Sequence, residues 1–361
     1  MLSSEHSTLV KKAVHEGKSW ARETAIILVI SVRGLTRIRR DYDRHSVTAS
    51  FLTAEELDDV IYGYRQSGFY VQHFPDETEF MQWYLAGEFN ALPHANKLVY
   101  TSAVNGTGAG RRCLVPAFCA LEGIPTMNSD AYSCAINRHK FHWGRLLQSF
   151  NVNVPESWHF DPRLGWWMEE KPQFGQKIIS KATFEGSSIG LTEDGVGEWS
   201  PRIEALVGEL ARDLRQPILV QTFVSGDEIE IPIMELNDTL VPFPLKIAQK
   251  DGKPLGDDFL SYHKVWEDEY RYWLVSDLDE GIISNAKDMA LRAVRCLNFR
   301  GFSRIDLRID QTGKPFVIDV STTPHLTRNS SFAYIFELLG YGFEGLAAAQ
   351  AGAALSRHQI I

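Results

Sequence analysis

Two strand-like segments near the C-terminal end of the 361-residue chain constrain it most. Phe302-Ser-Arg-Ile-Asp-Leu-Arg-Ile-Asp310 and Pro315-Phe-Val-Ile-Asp-Val-Ser321 both alternate in the strand period, and the turn-rich Gln311-Thr-Gly-Lys314 lies between them. With Thr312-Gly313 as a two-residue turn, the hairpin register sets Asp306 opposite Asp319 and Arg304 opposite Ser321, all four on one face. Ile305, Leu307, Ile318 and Val320 then point the other way, into a core. Directly opposed residues sit about 4.5–5.5 Å apart at Cβ, and like charges there are destabilising without a partner. A hard divalent cation held by oxygens, with Ser321 and a phosphate as further ligands, resolves the repulsion. The alternative is a surface hairpin carrying two solvated acids.

The remainder reads as an ordinary folded protein. Hydrophobic content of 44% and charged content of 23% are those of a globular chain with room for two or three subdomains. A net charge of −9 argues against nucleic acid or an anionic membrane as the main partner. Cys113, Cys119, Cys134 and Cys296 form neither a zinc spacing nor a disulfide framework, which fits a reducing cytoplasm. The apolar run Ala25 to Val32 is too short to span a bilayer and reads as a strand buried on both faces.

The first third alternates strand and helix. After that run, Thr53-Ala-Glu-Glu56 is a capping box opening a helix to about Gln66. Phe69–Phe74, Lys97–Ser102 and Ile124–Met127 supply further strands, with helices around Glu77–Phe89 and Arg111–Leu121. That series implies a parallel sheet with helices on its faces. A single helix is expected from Asp130 to Phe150; His139 and His142 on it read as ordinary helix positions rather than metal ligands. Strands at Val154–Trp158, Gln176–Lys181 and Pro217–Phe223 follow, then paired strands Asp227–Leu236 and Leu240–Ala248, a helix Ile283–Leu297, the hairpin and closing helices. Four segments result: an N-terminal extension (1–23), an α/β domain (24–136), a central subdomain (137–225) and a C-terminal subdomain (226–361).

A second motif, Lys181-Ala-Thr-Phe-Glu-Gly-Ser-Ser-Ile-Gly190, carries a strand-end lysine into a loop of small residues. Such loops free backbone N–H groups and hydroxyls to wrap phosphate oxygens, although alone they are more often plain turns. Gly106-Thr-Gly-Ala-Gly110 lacks the glycine spacing of a dinucleotide fingerprint and reads as a tight loop beside a substrate cleft.

Together, Gly301-Phe-Ser-Arg-Ile-Asp306, Ile318-Asp-Val-Ser-Thr-Thr-Pro-His-Leu-Thr-Arg-Asn-Ser330 and the Glu185-Gly-Ser-Ser-Ile-Gly190 run resemble the D-alanine–D-alanine ligases of the ATP-grasp superfamily, from about Asn137 onward. The resemblance implies an ATP-grasp α/β fold: an N-terminal parallel-sheet domain, then central and C-terminal α+β domains that clamp ATP. It implies Mg2+ (or Mn2+) on Asp306, Asp319 and Ser321. Lys140, Lys181 and Lys264 would meet the phosphates, and Glu185, Gly186, Ser187 and Ser188 would form the covering loop, Ser188 also counting as catalytic. Gln221, Phe223 and Val224 would hold the adenine and Glu228 the ribose, with Tyr262 as a substrate-side wall. Arg304 and the backbone N–H of His325 would stabilise the oxyanion, and Ser330, with Ser331 as alternate, would hold the acceptor carboxylate.

Three departures are visible. The family usually has glutamate and asparagine at Asp319 and Ser321, and glycine at His325. Ser31-Val-Arg-Gly-Leu-Thr-Arg-Ile-Arg-Arg40 replaces the loop that normally presents a carboxylate to the first substrate's ammonium. The implied activity is an ATP-dependent amide or peptide ligase working through an acyl phosphate, releasing ADP and phosphate. The departures favour a dipeptide or natural-product amide ligase over a cell-wall D-alanine–D-alanine ligase. A nucleotide-binding protein without catalysis is the remaining reading, opposed by the intact lysines, arginine and acids. Amino-acid or amine substrates, a cytoplasmic location and a homodimer complete the expectation. Asp306→Asn and Asp319→Asn are each expected to abolish ATP turnover and leave the fold intact. Phosphate release and a melting curve check this, and wild-type turnover at unchanged magnesium demand would remove the metal site.

Overall fold

The computed structural model describes residues 3–261, 263–264 and 269–360. Helix α1 (Ser4–Trp20) leads into β1 (Thr24–Val29), whose residues are buried throughout, as a strand covered on both faces requires. The capping box forms: Thr53 accepts from the Glu56 N–H, Glu56 reaches back to Thr53, and α2 runs Ala54–Gln66. After β2 (Tyr70–Phe74), α3 (Glu77–Leu85) and α4 (Glu88–Ala91) comes β3 (Asn96–Thr101), giving a parallel sheet of order β2-β1-β3. Ile124–Met127, expected as a strand, contributes one bridge at Thr126 to Val99 after α5 (Leu114–Glu122).

The single helix expected over 130–150 is two helices, α6 (Ala131–Asn137) and α7 (Lys140–Ser149). The break at Arg138-His139 follows from the Lys140 N–H, which donates to the Thr183 carbonyl (3.1 Å) instead of continuing the helical ladder. It places Lys140 at a helix start, tied to the strand end that carries Lys181. Strands β4 (Ser157–Asp161), β5 (Gly165–Trp166), β6 (Lys177–Ala182), β7 (Val196–Glu198) and β8 (Ile218–Thr222) form an antiparallel sheet of order β5-β4-β8-β6-β7, covered by α8 (Pro201–Asp213).

A larger antiparallel sheet follows. It comprises β9 (Asp227–Leu236), β10 (Thr239–Pro242), β11 (Leu245–Gln249), β12 (Tyr270–Leu274), β13 (Phe302–Ile309) and β14 (Pro315–Ser321), ordered β12-β11-β9-β13-β14 with β10 also on β9. The expected strand Leu240–Ala248 is split into β10 and β11 around Phe243-Pro244, where the proline removes a ladder donor. Helix α9 (Glu280–Cys296) packs under β13 and β14. The chain closes with α10 (Ser331–Leu338) and α11 (Gly342–Arg357).

One core joins the two ends of the molecule. Apolar side chains of α1, β1, α2 and β3 pack with those of β9, α10 and α11, and α11 is buried from Gly345 through Leu355. Gly17 and Gly352 let the first and last helices touch backbone to backbone: a Cβ on Gly17 would lie 1.9 Å from the Ala348 carbonyl oxygen, and one on Gly352 2.2 Å from that of Ala13. Among the described residues no helix is long and apolar enough to cross a membrane.

Alanine at Gly17 or Gly352 is therefore expected to lower stability by about 1–3 kcal/mol through overpacking. Gly208→Ala, in α8 with nothing within 4 Å, should instead raise it by about 0.5–1 kcal/mol. Urea unfolding of the three variants checks the opposite signs.

Candidate active site

The hairpin register sets the site. Arg304 pairs with Ser321, Ile305 with Val320 and Asp306 with Asp319, and on its other edge β13 sets Asp306 opposite Glu230. Three carboxylates thus lie in a row across β9, β13 and β14. Beyond Asp306 the register shifts by one at a bulge, so Leu307 faces Val317 and Ile309 faces Pro315. The two-residue turn is replaced by a three-residue connection closed by Asp310 and Lys314, with Gly313 at φ 83°. The Asp310 carboxylate accepts from the Thr312 and Lys314 N–H groups. The Val317 N–H donates outside the hairpin to the Asn153 carbonyl (2.9 Å). Consequently Val317, not Ile318, is the core residue, and Ile318 lines the cleft, its carbonyl accepting from Lys181 Nζ (3.2 Å).

Cations compensate the row. Arg304 binds Asp306 through two N–H groups (2.9 and 2.8 Å) and lies 3.6 Å from Glu230, while Lys140 Nζ meets Asp319 at 2.6 Å. Burial, with Glu230 and Asp319 nearby, pushes the Asp306 carboxyl up to about 7 despite Arg304. Burial alone would raise Asp319 too, but Lys140 and then Lys181 hold it below the usual carboxylate range. Burial and then Lys140 pull Lys181 down to about 8, and its ammonium donates to Gln221 Oε1 (3.2 Å).

These groups line a cleft of about 240 Å3 between the central and C-terminal sheets. Lys140, Lys181, Glu185, Gly186, Ser187, Ser188, Gln221, Phe223, Val224, Glu228, Arg304, Asp306, Asp319 and His325 all border it. Ser187 and Ser188 adopt φ of 51° and 53°, and Ser188 Oγ donates to the Leu260 carbonyl (3.0 Å), drawing the loop toward the opposite wall.

Several expected roles meet a different geometry. Glu185 is spent on a buried network: Arg111 grips both its oxygens, and the Tyr42 hydroxyl and Gln216 amide also donate to it. It ties the loop to the N-terminal domain. Arg308, buried and unforeseen, donates to Glu228 (3.2 Å), the Val224 carbonyl (2.9 Å) and the Asp258 carbonyl, its guanidinium 4.9 Å from the Phe223 ring. The groups expected to take ribose and adenine therefore face an arginine. Lys264 is held by Asp258 (2.5 Å), away from the cleft lining. Ser330 caps α10, accepting from the Ala333 N–H and donating to the Thr327 carbonyl, so its hydroxyl is committed. The Ser331 hydroxyl lies close enough to Glu230 to favour its ionised form. The Ser321 hydroxyl accepts from the Thr323 N–H and does not border the cleft. Tyr262 lies outside the described residues. The His325 imidazole opens onto the cleft, where desolvation, then Arg304 and Arg112, lower its proton affinity from the usual histidine value. His139 and His142 stack with ring centroids 3.4 Å apart.

A family model for the D-ala D-ala ligase C-terminus matches residues 146–349, more than half of the chain. The chain belongs to the D-alanine–D-alanine ligase family. The ligase is 30% identical over 246 residues to the D-alanine–D-alanine ligase of Polaromonas naphthalenivorans, covering 66% of this chain and 72% of that protein. It is 31% identical over 176 residues to that of Polaromonas sp. JS666, covering 48% and 49%. Its fold is that of the Bacillus anthracis D-alanine–D-alanine ligase complexed with ATP: TM-score 0.67, 14% identity, 93% of this chain and 99% of that one. The VanG D-Ala:D-Ser ligase of Enterococcus faecalis gives TM-score 0.64 at 16% identity, over 92% and 99%. The protein is thus an ATP-dependent carboxylate–amine ligase of the ATP-grasp fold, with ATP and Mg2+ as cofactors.

The acid row suits Mg2+. Glu230 Oε1 is buried without a partner among the described residues, and Asp306 is pushed toward protonation, both signs of excess negative charge. Among the described residues no three His, Cys, Asp or Glu side chains are grouped to hold a metal by themselves. Mg2+ needs only one or two carboxylates when phosphates and water supply the rest.

Lys181→Met is expected to weaken Mg·ADP binding more than tenfold, since a charge-assisted contact is worth about 1.5–3 kcal/mol. Wild-type affinity should fall as pH rises through about 8, where the free ammonium loses its proton, and the variant should lack that slope. Calorimetry between pH 7 and 9.5 checks both.

Proposed function

We propose that the protein forms a peptide bond between two amino-acid-like substrates, activating the donor carboxylate as an acyl phosphate, as a ligase of the D-alanine–D-alanine type. The observation that carries this reading is the Asp306–Asp319 pair, braced by Arg304 and Lys140 on the wall of the cleft. Asp306 and Asp319 would hold Mg2+, whose bound charge neutralises phosphate oxygens during transfer. Lys140 and Lys181 add positive charge along the same wall. Arg304, fixed by two bonds to Asp306, presents its guanidinium where negative charge develops on the carbonyl oxygen, and preorganised donors of this sort are worth about 3–4 kcal/mol each. The His325 N–H supplies the second donor. The loop at Gly186, Ser187 and Ser188 excludes water from the reactive acyl phosphate.

His325 and Arg112, side by side on the substrate flank, favour a second reading within the same chemistry: a dipeptide or specialised amide ligase whose substrates are not both alanine. Phosphate release over pairs of D- and L-amino acids, with mass spectrometry of the product, tests both. The expected result is phosphate release that requires two substrates and yields their amide. Mg·ADP binding without turnover of any pair would leave a nucleotide-binding protein without ligase activity.

A further inference from the structure

Beside the nucleotide cleft, and sharing His325 with it, lies a second cavity of about 30 Å3. The N-terminal domain lines it with Ser50, Tyr64, Tyr100, Ser102 and Arg112, and the C-terminal domain with Thr323 and His325 among others. Such a volume admits a carboxylate or a water or two, not a bulky side chain. Its one cationic wall is Arg112, which donates to Thr323 Oγ1. Its Nε is buried without a partner among the described residues.

Charge pairing sets Arg112 and Arg138 apart from the other arginines around the site. Arg111 has Glu185, Arg304 has Asp306, Arg308 has Glu228 and Lys140 has Asp319. Neither Arg112 nor its neighbour Arg138 makes an ion pair with a described carboxylate, and Arg138, 7% exposed beside Gly186, leaves Nε and one Nη without a partner. Glu185, whose charge acts on both, is saturated by Arg111, Tyr42 and Gln216. Burying a guanidinium without a counter-ion is costly, and a substrate ammonium placed there would meet only positive charge. An anion arriving with the substrate and seated against Arg112 offsets that penalty.

We propose that one substrate of this ligase carries, besides the reacting carboxylate, a second carboxylate that seats in this cavity against Arg112, with Arg138 adding to the field. The inference rests on the ligase reading above and names its substrate class: a dicarboxylic acid or an acidic amino acid rather than alanine.

The test is calorimetry on the full chain with Mg·ADP present. Both enantiomers of aspartate, glutamate and alanine, together with succinate and inorganic phosphate, are titrated into wild type, Arg112→Met and Arg112→Lys. At least one dicarboxylate should bind ten or more times tighter than alanine. Arg112→Met should erase that ratio, and Arg112→Lys should restore part of it. Wild-type preference for alanine over every dicarboxylate overturns the proposal, whether or not Arg112→Met folds. So does an Arg112→Met effect confined to phosphate, which would assign the arginine to the transferred phosphoryl group. Arg112-dependent dicarboxylate binding without turnover of any pair would sink the ligase reading and leave the anion site standing. Turnover of alanine pairs with no dicarboxylate preference would do the reverse.

Discussion

Three carboxylates set edge to edge on neighbouring strands are the constraint around which this molecule is arranged. Glu230, Asp306 and Asp319 occupy paired positions of β9, β13 and β14, so strand pairing itself enforces their approach. The sheet tolerates them because Arg304 and Lys140 arrive from the same face. Arg304 comes from β13 itself. Lys140 comes from the start of α7, and the break between α6 and α7 is what delivers it. A helix interruption in the central segment and a strand register in the C-terminal one are therefore parts of one electrostatic solution.

The same logic holds the subdomains together. Tyr42 and Arg111 of the N-terminal domain converge on Glu185 of the central one, a buried pair whose rupture would strand a charge. Arg308 plays the matching part between the cleft floor and the segment around Gly256 and Asp258, binding carbonyls from both. Each contact spends a carboxylate or carbonyl inside the molecule. A nucleotide held at Glu228 and Val224, as the family resemblance implies, would require Arg308 to share its partners or shift.

The periodicity of residues 302–321 made the opposed acids legible, because alternation fixes which side chains share a face and turn length then fixes register. It could not reveal the bulge: Val317 leaves the ladder for the Asn153 carbonyl, a partner more than a hundred and fifty positions away in the chain. The capping box at Thr53 was legible because all its atoms lie within four residues. The break before Lys140 was not, since its cause is Thr183. Arg111, Arg112 and Arg138 carry no motif. Their significance comes from which acids they meet and which they lack, a property of the folded molecule that spacing does not encode. Ser330 shows the converse, where a residue that fits a family pattern also has a local task, its hydroxyl capping a helix.

The contact between α1 and α11 bears on how the protein is made. The groove that receives the first helix is built partly by the last, with Gly17 and Gly352 meeting backbone atoms across it. A chain emerging from the ribosome therefore presents Val10, Ala13 and Val14 long before their cover exists. One face of the N-terminal sheet can close on its own helices, but the other cannot be covered until α11 has been synthesised. During that interval its apolar surface is open to wrong contacts, so the two ends of this fold complete each other late.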